Sequence, residues 1–266
     1  MKHISSRHHS LVARCRFIAR GKEPTALLLE GAHLVGEALA ARFPLEQVLV
    51  ASEAVDRPEL RSLVTEARRA GIETLTVSAP VMAAISPVRT PSGIVALGTR
   101  PGLVSARPYA KPFPLVVVAC DVQDPGNVGA MVRVAEAGGA SGMVAAGSSA
   151  DPFGWKALRG SMGSALRLPI AIVESPAEAA LEARQHGCRV AAAVPRGGTS
   201  IFDLGLTGAL AVLVGGEGIG LAPHLADQAD VRLSIPMVPP VESLNAAVTA
   251  ALVVYEARRQ RGLSVS

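Results

Sequence analysis

Three short stretches gather the residue types that chemistry needs. DPGNVGAMVR at 124–133 sets Asn127 and Arg133 behind an Asp-Pro-Gly turn. GGEGIGL at 215–221 places one carboxylate, Glu217, among glycines. Ser243-Leu244-Asn245 follows a proline-containing run and opens an apolar stretch. Glycines such as Gly215 and Gly216 let backbone amides approach a ligand with no side chain between, although an ordinary tight turn uses the same residues. Two phosphate-binding patterns fail. Read as GxGxxG from Gly216, the sixth position is Leu221, and from Gly218 it is Pro223, so a nicotinamide enzyme is disfavoured. Residues 124–133 also lack the Gly-Lys-Ser/Thr of a nucleotide-triphosphate loop. Asn127 suits either a sugar hydroxyl or turn chemistry. Arg133 suits an anion, or a surface pair with Glu136 three residues on. Ser243 and Asn245 suit a reacting centre or the cap of the helix that follows.

Other chemistries lack material. Cys15, Cys120 and Cys188 are an odd, widely spaced set without CxxC, and read as buried apolar residues in a reducing compartment, hence a cytoplasmic protein. The six histidines show no metal-ligand spacing, so no metal is expected. The longest uncharged run near the C-terminus, Ser243–Tyr255, is short of the ~20 residues that span a bilayer, and no secretory leader is legible. Charge is uneven. Residues 1–111 carry 15 Lys+Arg against 9 Asp+Glu, and residues 112–266 carry 11 against 13. Six basic residues precede the first acid, Glu23. A localised basic region attracts polyanions by releasing their counterions. A solvated helix face or an Arg-rich transit segment has the same composition.

These residues must be positioned by two α/β alternations. The first predicts helices over 11–19, 32–41 and 58–70, with strands over 26–29, 48–51, 74–77 and 94–97. Four prolines in 100–114 interrupt it. The expected layout is a domain over 1–105, a linker over 106–112 and a domain over 113–266. The second alternation has near-continuous apolar strands, the pattern of a parallel sheet covered on both faces. They lie at 115–120, 142–146, 168–173, 189–194, 209–214 and 231–235, with helices over 129–137, 176–186 and 244–259. All three chemical stretches follow strands, where open α/β sheets bind ligands.

Taken in order, the three stretches resemble the motifs of the SpoU (TrmH) family of SPOUT RNA methyltransferases. DVQDPGNVGAMVRVAEAGGA at 121–140 resembles the first, LAVLVGGEGIGL at 210–221 the second, and LSIPMVPPVESLNAAVTAALVVYE at 233–256 the third. WKALRGSMGSALRLPI at 155–170 is similar to the segment between the first two. LLLEGAHLVGEAL and PSGIVALG resemble, more loosely, a substrate-binding domain common in that family. The resemblance implies a C-terminal domain with a deep trefoil knot, behind a small N-terminal α/β RNA-binding domain. It further implies a homodimer and S-adenosylmethionine as cofactor, framed by backbone groups at Gly215, Gly216, Ile235 and Leu244. The implied reaction is ribose 2′-O-methylation of structured RNA, 23S-type ribosomal RNA above all. A transfer-RNA methyltransferase and a non-catalytic RNA-binding protein of the same fold are the alternatives.

Displacement at a sulfonium carbon carries its own leaving group. The protein must then align donor and acceptor and handle one proton. The expected catalytic set is Asn127, Arg133, Glu217, Ser243 and Asn245, with Glu217 orienting Asn127 or Arg133. Arg133 is expected to hold a phosphate and stabilise the developing alkoxide, since a guanidinium hardly deprotonates. With eight aromatic residues in the chain, RNA contact must lean on arginine, with Arg7, Arg14, Arg16 and Arg159 as candidates. A final helix apolar on all sides must be covered on all sides, by its own sheet and a partner subunit or wholly within one subunit.

Overall fold

The computed structural model describes residues 1–102, 106–218 and 220–262. Position 105 at the expected domain edge and Ile219 of the glycine loop lie outside the described residues. The chain divides into two compact units, Met1–Gly102 with Phe153–Arg167, and Leu103–Pro152 with Leu168–Ser266.

In the first unit, β1 (Lys2–Ile4), α1 (Ser10–Ala19), β2 (Ala26–Glu30), α2 (Ala32–Ala40), β3 (Leu45–Ala51), α3 (Pro58–Arg69), β4 (Glu73–Val77), α4 (Ala79–Ile85) and β5 (Ile94–Thr99) follow one another. The strands form a mixed sheet in the order β1-β4-β3-β5-β2, with β5 antiparallel to both neighbours. The short β1 and α4 escape a periodicity reading because each has too few residues to show a period.

In the second unit, β6 (Leu115–Cys120) is followed by α5 (Pro125–Ala137) and β7 (Gly142–Ala146). The chain then contributes α6 (Trp155–Ser161) to the first unit and returns as β8 (Ile170–Val173), α7 (Pro176–Gln185), β9 (Arg189–Ala193), β10 (Thr199–Ser200), β11 (Leu210–Gly215), α8 (Pro223–Gln228), β12 (Val231–Ser234) and α9 (Ala246–Gln260). Seven parallel strands run in the order β10-β12-β9-β11-β6-β7-β8. Every residue of β6 is buried, as covering both faces requires. Burying one Val or Leu there contributes about 2 kcal/mol.

Two departures from the expected layout have physical causes. The expected C-terminal domain included 153–167, yet this segment groups with the first unit. Phe153, Ala157 and Leu158 are buried there, α6 packs on β2, and an ion pair joins Arg167 to Glu37. Helical spacing marks such a segment as amphipathic without saying which core it covers. The Pro-rich stretch is likewise packed rather than a bare spacer. A 3₁₀ turn at Arg107–Tyr109 buries Pro108 against Gly142 and stacks Tyr109 on His186, centroids 4.7 Å apart. Proline cannot donate a ladder bond, but it fills a hydrophobic contact well.

Burial pushes the thiols of Cys15 and Cys120 up to about 12 and that of Cys188 to about 11, the inert state expected of them. Among the described residues no group of His, Cys, Asp or Glu is placed to hold a metal, and no helix is long and apolar enough to cross a membrane.

Candidate active site

The parallel strands β9, β11 and β12 end together, and their carboxyl ends open into a cavity of about 470 Å³. Ala193, Val194 and Pro195 line it after β9, Gly215–Gly218 after β11, and Ile235 and Met237 after β12. Ser243, Leu244, Asn245 and Thr249 close it at the start of α9. Gly215, Gly216, Ile235 and Leu244, expected at a cofactor, therefore share one cavity. Ala193–Pro195, Met237 and Thr249 were missed, because nothing in a small apolar run marks which strand end faces a ligand.

The glycines have a steric cause. A Cβ on Gly215 would lie 2.2 Å from the carbonyl carbon of Gly220, and one on Gly216 2.3 Å from the carbonyl oxygen of Asp121. Both obstacles are backbone, so neither can swing away. The Gly216–Gly220 bridge folds the loop back on itself, and the Gly216 amide donates to the Cys120 carbonyl. The residue facing Gly216 across this approach was missed. Asp121 adopts φ 57, the left-handed region where a side chain is disfavoured, and its Oδ1 accepts from the amide and hydroxyl of Ser148 at 2.8 and 2.9 Å. These bonds hold the turn that Gly216 packs against.

Asn127 from the first turn of α5, Glu217 from the loop after β11 and Asn245 from the start of α9 meet. Asn245 is the N-cap of α9, its Oδ1 accepting from Ala247 and Val248 amides at 2.9 and 3.3 Å. With the oxygen so placed, Nδ2 must face the other way. It donates to Glu217 Oε1 at 2.9 Å and to Asn127 Oδ1 at 3.0 Å. Asn127 in turn donates from Nδ2 to the same Glu217 oxygen. An ionised carboxylate only accepts, so it fixes both amides in one orientation.

The alternatives left by the sequence separate here. Asn245 is cap and site residue at once, through opposite ends of its amide. Ser243 lines the cavity and is exposed. The turn role belongs to Asp124, whose Oδ1 accepts from the Asn127 amide at 2.8 Å and caps α5, leaving the Asn127 side chain to Glu217. Asp124 followed by Pro125 at the first helical position was a legible start signal, so α5 begins four residues before the expected Gly129.

Other expected residues do not join them. Arg133 is exposed on α5, enters no ion pair among the described residues and is not part of the cavity wall. In the first unit, Arg14 bridges Glu23 and Glu46, each at 2.8 Å, and these carboxylates raise its pKa above the ordinary guanidinium value. Arg16 donates to the Ala84 carbonyl at 3.0 Å. Arg7 is exposed, and Arg159 lies on α6.

Comparison with known proteins bears on this geometry. The model of the SpoU rRNA Methylase family matches residues 114–255, and that of an MRM3-like substrate binding domain matches 19–96. The chain is 31% identical over 263 residues to the 23S rRNA (guanosine(2553)-2′-O)-methyltransferase RlmP of Bacillus subtilis, covering 97% of this chain and 100% of that protein. Its fold is similar to that of the SpoU methyltransferase AviRb of Streptomyces viridochromogenes in complex with AdoMet, with TM-score 0.86 and 26% identity over 96% of this chain and 98% of that one. A crystal structure of an RNA 2′-O ribose methyltransferase gives TM-score 0.79 at 31% identity, covering 98% and 100%.

Proposed function

Because the chain belongs to the SpoU rRNA methylase family, we propose that it methylates a ribose 2′-hydroxyl of 23S-type ribosomal RNA with S-adenosylmethionine as donor. The observation that carries this reading is the cavity at the ends of β9, β11 and β12 with the Asn127–Glu217–Asn245 cluster at its edge. The cavity fits the donor. Its volume lies in the range of small-ligand sites, its walls offer Ile235, Met237 and Leu244 to apolar parts, and Gly215 and Gly216 bring backbone within reach of polar ones.

Bound there, S-adenosylmethionine supplies an electrophilic methyl carbon and its own sulfur leaving group. The chain's residues do the rest. Gly215, Gly216, Ile235 and Leu244 hold the donor, largely through backbone. Glu217 locks Asn127 and Asn245, which orient the ribose. Arg133 carries a permanent charge that holds a phosphate and stabilises the negative charge developing on the acceptor oxygen, whose proton passes to water. Ser243, exposed at the rim, is the remaining polar group for the acceptor.

The subunit is half of the working unit in this reading. On α9, Ala250, Val253, Val254 and Ala257 are buried while Val248, Leu252 and Tyr255 are 46%, 40% and 51% exposed. An apolar stripe one and two turns apart, left open by the subunit's own core, fits a second copy of the same helix face. A trefoil knot accounts for the path from β12 to α9. What supports it is that β12 pairs with β9 while α9, the next element, packs on α5 and β11. The three buried free cysteines fit a reducing, cytoplasmic setting.

The test is labelled methyl transfer onto ribosomal RNA, followed by alkaline hydrolysis. A 2′-O-methyl group leaves one alkali-resistant dinucleotide. Label found on a base, or on transfer RNA alone, contradicts the assignment.

A further inference from the structure

The first unit holds a second cavity, of about 510 Å³, whose lining includes Glu30, His33, Leu34, Trp155, Lys156 and Arg159. Trp155 is the one tryptophan of the chain, and it is partly exposed rather than packed into the core. The Lys156 ammonium stands 5.6 Å from its ring centroid. Lys156 and Arg159 are exposed and enter no ion pair among the described residues, whereas Arg14 and Arg61 of the same unit face carboxylates. The one acid in the wall, Glu30, is already engaged, accepting from the Ser92 amide at 3.0 Å. His33 Nε2 lies 3.3 Å from the Met162 carbonyl. Met162 itself takes φ 50, is 41% exposed and lines the same cavity.

An aromatic face with two unpaired cations beside it, in a space of ligand size, is the material that unstacked RNA bases and their phosphates require. We propose that this cavity binds one unstacked nucleotide of the RNA substrate. The base stacks on Trp155, and the phosphate sits between Lys156 and Arg159. The Lys156 ammonium leaves the ring for the phosphate when the base arrives. This rests on the RNA reading above and adds to it where and how the first unit holds its substrate.

Trp155 is its own reporter. Titrating the full chain with a single-stranded octanucleotide should quench its fluorescence saturably, while a mononucleotide at the same concentration leaves it unchanged. Lys156→Ala with Arg159→Ala should weaken octanucleotide binding about tenfold or more and flatten its salt dependence by about 0.7 for each phosphate no longer neutralised. Fluorescence-independent binding to labelled RNA should fall about tenfold for Trp155→Leu and recover in Trp155→Phe, which keeps a stacking face. S-adenosylmethionine affinity should not move in any of these variants. Quenching that the double variant loses supports the subsite, whether or not the unaltered chain transfers methyl. Unchanged fluorescence together with unchanged RNA affinity of the variants overturns the subsite, even if the unaltered chain methylates RNA. Mononucleotide binding as tight as the octanucleotide's also overturns it, marking the cavity as a free-nucleotide site.

Discussion

The two cavities are built from opposite materials. The one at the ends of β9, β11 and β12 is made of backbone and small residues, with polar side chains locked to one another. The one in the first unit is made of long side chains with free ends, Trp155, Lys156 and Arg159. The difference fits what each is proposed to hold. A small donor of one fixed shape is best met by groups that cannot move, since preorganised dipoles cost no reorganisation during the reaction. A polymer of varied sequence is best met by charge and stacking, which tolerate any base.

The contrast can be broken most severely at Gly216. Gly216→Ala drives a Cβ into the Asp121 carbonyl, and neither backbone can yield. S-adenosylmethionine binding by calorimetry should fall at least a hundredfold with the protein still folded. Affinity within a few fold of normal would mean that the loop is not a rigid cradle. Next comes Arg133, which lies outside the cavity wall. Arg133→Lys keeps the charge and loses the planar fork, so single-turnover rates should drop on the order of 100-fold, ~3 kcal/mol, with cofactor affinity unchanged. Near-normal rates would leave Arg133 a surface residue. Asn245 then separates cap from site. Asn245→Asp keeps the oxygen that caps α9 but removes the Nδ2 donor and sets a carboxylate against Glu217. The melting temperature should change little, and the rate should fall at least tenfold. Asn245→Ala should in addition cost about 1 kcal/mol of stability. The smallest effect belongs to the cysteines. With thiols pushed to about 11 and 12 by burial, the native protein should leave an aromatic disulfide reagent unreacted at pH 8.

Much of the fold was legible because buried parallel strands read as continuous apolar runs, as LVVVAC at 115–120 does. The cavity wall was partly legible for a related reason, since Gly215 and Gly216 stand at the end of such a run. What escaped was tertiary. No local pattern says that residues 153–167 cover the first unit's core, or that Asp121 takes a left-handed turn facing Gly216. Nor does spacing reveal that Asn127 and Asn245, more than a hundred residues apart, share one carboxylate oxygen. Glu217 stood out only as an acid among glycines. Asn127 or Arg133 was expected as its partner; the structure pairs it with Asn127 and, unexpectedly, with Asn245.

The central claim is that the Asn127–Glu217–Asn245 cluster aligns the acceptor for a donor held by other groups. Glu217→Ala tests it most directly. Ala removes the one oxygen to which both Asn amides donate, so the two side chains lose their common anchor. Single-turnover methylation on saturating RNA, with S-adenosylmethionine affinity measured in parallel, separates binding from chemistry. The account predicts a rate about 100-fold lower with cofactor affinity within a few fold of normal. An undiminished rate, or a rate and an affinity that fall together, would contradict it.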